Sequence, residues 1–111
     1  MSVKHNIEKA SILDEGFDQE GFEKALSLVR AMDNRHRLMI LCMLCERERN
    51  VSEMSQATGL SLSAVSQHLN ILKESDLVEW KKSAQVVTYR LRTGEVQQVI
   101  SLFKKLYCAR T

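Results

Sequence analysis

The segment from Ser61 to Glu74, SLSAVSQHLNILKE, constrains the possible folds of this chain more than any other. At about 100° per residue, its larger apolar residues fall on one narrow helical face, and small hydroxyl and amide side chains fall on the opposite face. The apolar face comprises Leu62, Val65, Leu69 and Leu72. The segment therefore predicts a helix that packs on one side and exposes a polar side to a partner.

A shorter helix is predicted just before this segment, from Ser52 to Gly59. Ser52 is a suitable N-cap, and Gly59 can adopt the left-handed conformation that ends a helix. Val51, which is β-branched, could begin a very short strand upstream. The turn of about three residues between the two helices has the length found in a helix-turn-helix, whose second helix enters the DNA major groove.

Two more helices are predicted upstream. Apolar residues at helical spacing predict the first helix between Gly21 and Met32. The second is expected from Asn34 to Glu46 and contains LMILCMLC, whose eight consecutive apolar residues indicate burial on all sides. Residues 1–20 lack a sustained period and are acidic, so we expect a mobile arm there and one folded domain over residues 21–111.

The remaining sequence predicts a β-hairpin followed by a helix. Strands are expected over Leu77–Trp80 and Val86–Leu91, joined by a polar loop over Lys81–Gln85, and this hairpin would form a wing beside the helix-turn-helix. Thr93 is the expected cap of a last amphipathic helix that ends near Ala109.

The first and last helices carry more apolar surface than a winged helix needs. We expect these surplus faces to pair with a second copy of the chain. Packing within one chain is the alternative, and both arrangements could hold together.

Composition sets broad limits on where the protein acts. No apolar run approaches the roughly twenty residues needed to cross a bilayer, and the N-terminal sequence does not resemble a secretion signal, so a cytoplasmic protein without membrane contact is expected. The formal net charge is only +2, but the first twenty residues are acidic and leave +5 on the rest of the chain. The folded part is therefore more basic than the total suggests.

Polar and basic side chains on the second helix and the wing are the candidate DNA contacts. Amide side chains can pair with base edges, whereas hydroxyls and cations bind phosphates and position the protein. The candidates for the groove are Ser63, Gln67, His68 and, one turn deeper, Asn70. The candidates for phosphates on the helix are Ser61 and Ser66. On the wing the candidates are Lys82, Gln85 and Arg90.

The order of predicted elements, with the strings LSLSAVSQHLNILKESDLV and VVTYRL, resembles the ArsR family of bacterial winged helix repressors over residues 23–108. The resemblance implies a mainly α-helical winged helix-turn-helix with a small β-hairpin, paired through its first and last helices. It also implies a homodimer that binds an inverted repeat in double-stranded operator DNA and leaves it when an inducer is sensed.

Many members of this family sense metal ions, so metal ligands were sought at the family's positions. Such relatives carry cysteines at the start of the first helix of the DNA-reading pair, where this chain has Asn50 to Glu53 and no thiol. Others use Asp, His and Glu on the last helix, where Glu95 stands alone. A metal-responsive repressor is kept as an alternative, and no metal ligand or cofactor is assigned.

Two cysteines provide another sensing chemistry. Cys42 and Cys108, in the contexts ILCML and LYC, are similar to the pair in the persulfide-responsive dithiol subgroup of the family. The resemblance implies that reactive sulfur species or another oxidant link them by a disulfide or polysulfide bridge within one protomer. We expect Cys108, which lies among basic residues, to attack first and Cys42 to resolve the intermediate. The opposite order stays open, and Cys45 has no counterpart in the subgroup.

Two further function classes compete with this interpretation. Cys42 and Cys45 formally make a CxxC pair, which would suit a thiol oxidoreductase, although such pairs normally open a helix and these lie near a helix end. A winged helix that binds a protein partner is the other class. The hydroxyls of the polar face and the basic wing argue against it, and no enzyme activity is expected.

Overall fold

The computed structural model describes residues 16–108, which form five helices and one two-stranded antiparallel sheet. The helices are α1 (Gln19–Met32), α2 (Arg35–Glu46), α3 (Val51–Thr58), α4 (Leu62–Glu74) and α5 (Glu95–Tyr107). The strands β1 (Val78–Ser83) and β2 (Val86–Leu91) lie between α4 and α5. This order confirms the predicted winged helix-turn-helix fold class. No helix within residues 16–108 is long and apolar enough to span a membrane.

The described part of the chain divides into two compact units, with the boundary between Arg30 and Ala31. The first unit contains most of α1, which begins two residues before the predicted Gly21 because Asp18 caps it. The Asp18 carboxylate accepts a hydrogen bond from the Gly21 backbone N–H at 2.6 Å. Residues 1–15 of the predicted arm, and the predicted end of the last helix at Ala109, lie outside the described residues.

Helix α2 lies at the centre of the second unit and contacts α3, α4, β2 and α5. It begins at Arg35, one residue after the predicted start, because Asn34 is the N-cap and its side chain accepts hydrogen bonds from the backbone N–H groups of the first turn. Its buried residues are Ile40, Leu41 and Leu44. The prediction that α2 is buried on all sides is wrong, because these elements cover one face and leave the opposite apolar face half-exposed.

The N-cap of α3 is Asn50 rather than the predicted Ser52. Asn50 and Glu53 form a capping box, in which each side chain accepts a hydrogen bond from the other residue's backbone N–H, at 2.8 and 2.9 Å. Val51 is therefore the first helical residue, and the extended pairing occurs earlier, between Arg49 and Tyr89 of β2. The predicted end of α3 is confirmed, with Gly59 at a φ of 79°.

Helix α4 begins after Ser61, whose hydroxyl accepts a hydrogen bond from the Ala64 backbone N–H at 3.1 Å. The predicted packing face is confirmed for three of its four residues, Val65, Leu69 and Leu72, which are fully buried. Leu62 is 54% exposed, because the first turn of α4 extends past the core that covers the later turns. The expectation that Leu62 packs is wrong.

The end of α4 fixes the direction in which the chain enters the wing. Asp76 has a φ of 62°, the Leu77 N–H donates to the Leu72 carbonyl, and the Asp76 N–H donates to the Lys73 carbonyl. These bonds form a Schellman motif, which usually brings together two apolar side chains across the helix end. Leu72 and Leu77 are both buried here, so α4 and the hairpin share one core.

The hairpin is longer and its turn tighter than predicted. Lys81 to Ser83 belong to β1 and pair with β2, so only Ala84 and Gln85 connect the strands. Helix α5 follows with Gly94 as its N-cap, whereas the predicted cap, Thr93, donates its hydroxyl to the Glu95 carboxylate at 3.1 Å. Its exposed large apolar residues are Leu102, Phe103, Leu106 and Tyr107.

The capping box predicts an asymmetry between two neighbouring polar residues. Replacing Asn50 with Ala leaves the first N–H groups of α3 without a cap, so we expect a loss of about 1–2 kcal/mol in the free energy of unfolding. Ser52→Ala, at an exposed helical position without a capping bond, is the matched control and is expected to change it by less than about 0.5 kcal/mol. Urea denaturation at one fixed protein concentration measures both, and equal losses would contradict the assignment of the cap.

Candidate nucleic-acid interface and thiol cluster

The exposed face of α4 gathers most of the predicted DNA contacts. Four polar residues of the helix share the side opposite the buried Val65 and Leu69, Ser61 lies at the N-cap, and all five are exposed. They are Ser61, Ser63, Ser66, Gln67 and Asn70. This surface, called the reading face below, presents hydroxyls and amides, which are the groups that bind phosphates and base edges.

His68 lies at the edge of the reading face rather than within it. The residue is half-buried, its ring centroid is 5.9 Å from that of His36 on α2, and its Nδ1 is buried without a hydrogen-bond partner within residues 16–108. Burial lowers the pKa of His68, and the positive charges of Arg37 and His36 lower it further. This lowered pKa favours the neutral form of His68, and its contact with DNA stays a prediction.

The three predicted wing contacts do not lie on one surface. Side chains alternate along a strand, so Lys82 shares a face of the hairpin with Trp80 and Val78, whereas Arg90 points from the opposite face beside Glu79. Gln85 occupies the exposed turn. Lys82 is exposed and forms no ion pair within the described part of the chain, so its charge is available to a phosphate.

Arg90 is held by carboxylates of the protein itself. Its Nε donates to Glu79 Oε2 at 2.8 Å, and its Nη1 lies 3.7 Å from Glu48 Oε2. The hydrogen bond that Arg90 donates to the Glu79 carboxylate is the main reason that the pKa of Arg90 is raised. Glu48 also pairs with Lys81 at 3.3 Å. A phosphate at this face of the wing must therefore compete with two acidic side chains that the sequence reasoning did not connect to Arg90.

The three cysteines are free thiols. Cys42 and Cys45 lie one turn apart on α2 and are half-buried, whereas Cys108 is exposed at the C-cap of α5. The Gln97 side chain donates a hydrogen bond to the Cys45 carbonyl at 3.4 Å, which ties α5 to α2. The cysteines, together with Lys104 of α5, are called the thiol cluster below.

Burial is the main cause of the raised pKa of Cys42, and it likewise raises the pKa of Cys45. The positive charge of Lys104 opposes this effect at both thiols, and Glu46 reinforces it. A charge on Cys108 also raises the pKa of Cys42, which places both predicted switch thiols within electrostatic reach of each other. The structure thus groups Cys42, Cys108 and Lys104 around the contact between α2 and α5.

The sequence did not predict two residues that lie beside the cysteines, Glu46 and Gln97. Glu46 follows Cys42 by four residues, a spacing that places both on one helical side and could have been recognised. Gln97 is 52 residues from Cys45, and no local sequence pattern predicts a contact between them. Within residues 16–108, no group of three or more His, Cys, Asp or Glu side chains is arranged to hold a metal ion.

Sequence comparisons relate the chain to bacterial regulators. The family described as "Bacterial regulatory protein, arsR family" matches residues 34–79. The transcriptional activator HlyU of Vibrio cholerae serotype O1 is 48% identical over 85 residues, which are 77% of this chain and 79% of that protein. The biofilm growth-associated repressor of Xylella fastidiosa is 31% identical over 84 residues, covering 76% of this chain and 74% of that protein.

Solved structures agree with this relationship. HlyU from V. cholerae superposes with a TM-score of 0.77 at 45% identity, covering 82% of this chain and 99% of that chain. A homodimeric winged helix-turn-helix DNA-binding domain from Mycobacterium bovis, described as a possible ArsR-family transcriptional regulator, superposes with a TM-score of 0.69 at 28% identity. That match covers 96% of this chain and 86% of the other.

The charges around Cys42 predict how its reactivity depends on pH. Lys104→Gln removes the cation that lowers the pKa of Cys42, so less thiolate is present at pH 7.4 and the rate profile shifts to higher pH. We expect alkylation of Cys42 to slow about twofold, as for a screened interaction of about 0.5 kcal/mol. Iodoacetamide kinetics in a Cys45→Ser, Cys108→Ser background measure this.

Lys105→Gln is the matched control for that measurement. Lys105 is exposed on the same helix and is not among the groups that shift the Cys42 pKa, so the substitution is expected to leave the rate profile in place. A profile that moves to lower pH in Lys104→Gln, or equally in both variants, would show that Lys104 does not act on this thiol.

Proposed function

The chain belongs to the ArsR family of bacterial regulatory proteins, and on this premise we propose that it represses transcription as a homodimer bound to an inverted-repeat operator. The family accounts for transcriptional regulation and DNA binding. The observation that carries the more specific proposal is the reading face, where exposed hydroxyl and amide side chains lie opposite the buried Val65, Leu69 and Leu72, with Ser61 at the N-cap.

In the proposed complex α4 lies in the major groove. Gln67 pairs with an adenine through its amide, and Ser63 and Asn70 contact neighbouring base edges. Ser61 and Ser66 bind phosphates at the margin of the groove. His68, at the edge of this face, is assigned a water-mediated contact through its outer ring edge.

The wing holds the DNA backbone in this proposal. Lys82 and Gln85 contact phosphates on either side of the groove without reading sequence. Arg90 reaches a phosphate only if it leaves Glu79 and Glu48, and the loss of those ion pairs reduces its contribution to affinity. The proposal therefore gives Lys82 the larger electrostatic role.

A second copy of the chain is proposed to cover the apolar residues of α1 and α5. Val29 on α1 is 61% exposed, and on α5 Leu106 is 62% and Tyr107 81% exposed. Such a contiguous apolar stripe on α5 is typical of a surface that pairs with another chain. The M. bovis relative, which is described as homodimeric, supports this assignment.

DNA binding is tested with an inverted-repeat duplex selected from a randomised pool with the wild-type protein. Gln67→Ala is expected to weaken binding about 10- to 100-fold because it removes a bidentate base contact, whereas Gln98→Ala on α5 leaves affinity unchanged. Lys82→Gln is expected to reduce the slope of log affinity against log salt by about one. Fluorescence anisotropy at several salt concentrations measures these effects, and equal affinities for the two Gln variants would refute the proposed reading face.

The inducer is proposed to act on the thiol cluster. The Cys108 thiolate attacks the terminal sulfur of a persulfide R–S–SH, forming a Cys108 persulfide and releasing the thiolate R–S⁻. The Cys42 thiolate then attacks the cysteine sulfur of that persulfide, forming a Cys42–Cys108 disulfide and releasing HS⁻. The two cysteines lose two electrons, which the inducer takes up as R–SH and H₂S.

Longer bridges follow from the same chemistry. If the Cys108 persulfide first takes a second sulfur from another R–S–SH, attack by Cys42 on the middle sulfur closes a trisulfide and again releases HS⁻. A disulfide needs Cα atoms about 4.4–6.8 Å apart, and each added sulfur lengthens the reach. Exposure supports Cys108 as the first nucleophile, and the raised pKa of half-buried Cys42 supports its role in the second step.

The same features argue against a thiol oxidoreductase. The catalytic thiol of such an enzyme has a lowered pKa at a helix N-terminus. Burial raises the pKa of both Cys42 and Cys45, which lie in the second half of α2. A regulatory bridge that forms once per signal fits these thiols better than a catalytic pair.

The contacts of α2 provide a route by which the proposed bridge would change DNA binding. Cys42 lies on α2, which contacts α3 and α4 of the helix-turn-helix, and Cys108 ends α5, which carries the proposed dimer surface. In this proposal, linking them shifts the two α4 helices of the dimer relative to each other. These helices must lie about 34 Å apart to enter successive major grooves.

Treatment with a persulfide donor tests the switch. Wild-type protein is expected to lose about 100-fold in operator affinity, a coupling free energy of about 2.7 kcal/mol, as sulfur bridges appear between Cys42 and Cys108 in peptide mass spectra. Cys42→Ser and Cys108→Ser should keep their affinity, whereas Cys45→Ser, the matched control, should respond like the wild type. If only Cys45 gained sulfur, or if the Cys42→Ser, Cys108→Ser double variant still released DNA, the proposed switch would be wrong.

A further inference from the structure

The half-exposed side of α2 faces an open groove that lies outside the reading face and includes Cys42 in its lining. The groove has a volume of about 490 Å³, within the range of about 300–1,000 Å³ common to small-molecule sites. Its lining comes from one stripe of α2 and from Ala57 of α3. The α2 residues are Arg35, Leu38, Met39, Cys42 and Met43. This space is called the methionine groove below.

The methionine groove has apolar side chains along its wall and a charged side chain at one end. Two methionines, a leucine and an alanine make an apolar wall, and methionine side chains adapt readily to the shape of an aliphatic ligand. Among the described residues 16–108, Arg35 is the only charged residue of the lining, and it forms no ion pair there. An apolar wall that ends at an available guanidinium complements a molecule with an aliphatic tail and an anionic head.

We propose that the methionine groove binds an aliphatic carboxylate, with the chain along Met39 and Met43 and the carboxylate on Arg35. The tail then lies over the Cys42 thiol, because Cys42 lies between those methionines on the same stripe of α2. A bound carboxylate therefore shields Cys42 from reagents in solution. Cys45 lies outside the groove lining and is not shielded.

This site would give the protein a second input, separate from sulfur chemistry. The ligand spans α2 and α3, so it binds next to the helix-turn-helix without touching the reading face. By covering Cys42, the carboxylate would oppose the formation of any bridge at that thiol. Binding itself requires neither DNA nor oxidation, so the site exists whether or not the proposed switch does.

The experiment measures alkylation of Cys42 and Cys45 in two single-thiol proteins. In the Cys45→Ser, Cys108→Ser protein, millimolar decanoate is expected to slow the reaction of Cys42 with iodoacetamide at least fivefold in a saturable manner. In the Cys42→Ser, Cys108→Ser protein the rate for Cys45 should not change. The midpoint of thermal unfolding should rise with decanoate in both, because a ligand that binds the folded state stabilises it.

Charge and shape controls identify the site. Decyltrimethylammonium, with the same tail and opposite charge, should give little protection. Arg35→Gln should raise the decanoate dissociation constant about fivefold, equivalent to about 1 kcal/mol, whereas Lys105→Gln on α5 should not change it. Ala57→Leu should fill the groove and abolish protection, and its unfolding transition in the absence of ligand reports whether the variant folds.

Several results would overturn the proposal. Equal protection by the cationic amphiphile, equal protection of both thiols, or an unchanged dissociation constant in Arg35→Gln would each show that decanoate binds without this groove. Protection of Cys42 that rises with protein concentration in the absence of ligand would show that a second copy covers the groove instead.

Discussion

The packing of one face of α2 is the interaction on which the second unit depends. Ile40, Leu41 and Leu44 are buried there, each contributing about 1.5–3 kcal/mol, and the same helix contacts α3, α4, β2 and α5. The helix-turn-helix, the wing and the last helix are thus all positioned against a single element. A displacement of α2 cannot leave the reading face where it was, because close-packed interiors transmit strain.

The opposite face of α2 is free to carry chemistry because it is not needed for that packing. Cys42 lies on this side, half-buried beside the methionine groove and within electrostatic reach of Lys104 and Cys108. Partial burial makes the thiol poorly ionised yet accessible to a neighbouring group, which suits a resolving thiol better than an initiating one. The fold thus separates a structural face from a thiol-bearing face on one helix, and this connection is the route by which the proposed thiol chemistry would act on DNA binding.

The sequence predicted the fold where local patterns decide it. Helical periodicity located α2 and α4, and Gly59 marked the end of α3 correctly. Errors arose where two signals were both plausible locally: Ser52 and Asn50 could each cap α3, and the capping box with Glu53 decides between them. The all-apolar run of α2 did not reveal which face would be covered, because that depends on tertiary packing. Likewise, the Glu79 and Glu48 partners of Arg90 follow from strand register and a distant loop, which composition does not encode.

A bridge between α2 and α5 is proposed to change the distance between the two α4 helices of the dimer. The direct measurement is the distance between spin labels carried on a noncanonical residue at Glu74, exposed at the end of α4, in the paired protein before and after persulfide treatment. We expect a shift of about 2 Å or more, the size of helix movements at switching interfaces, that accompanies loss of operator binding. An unchanged distance distribution in bridged protein that has released its operator would contradict it.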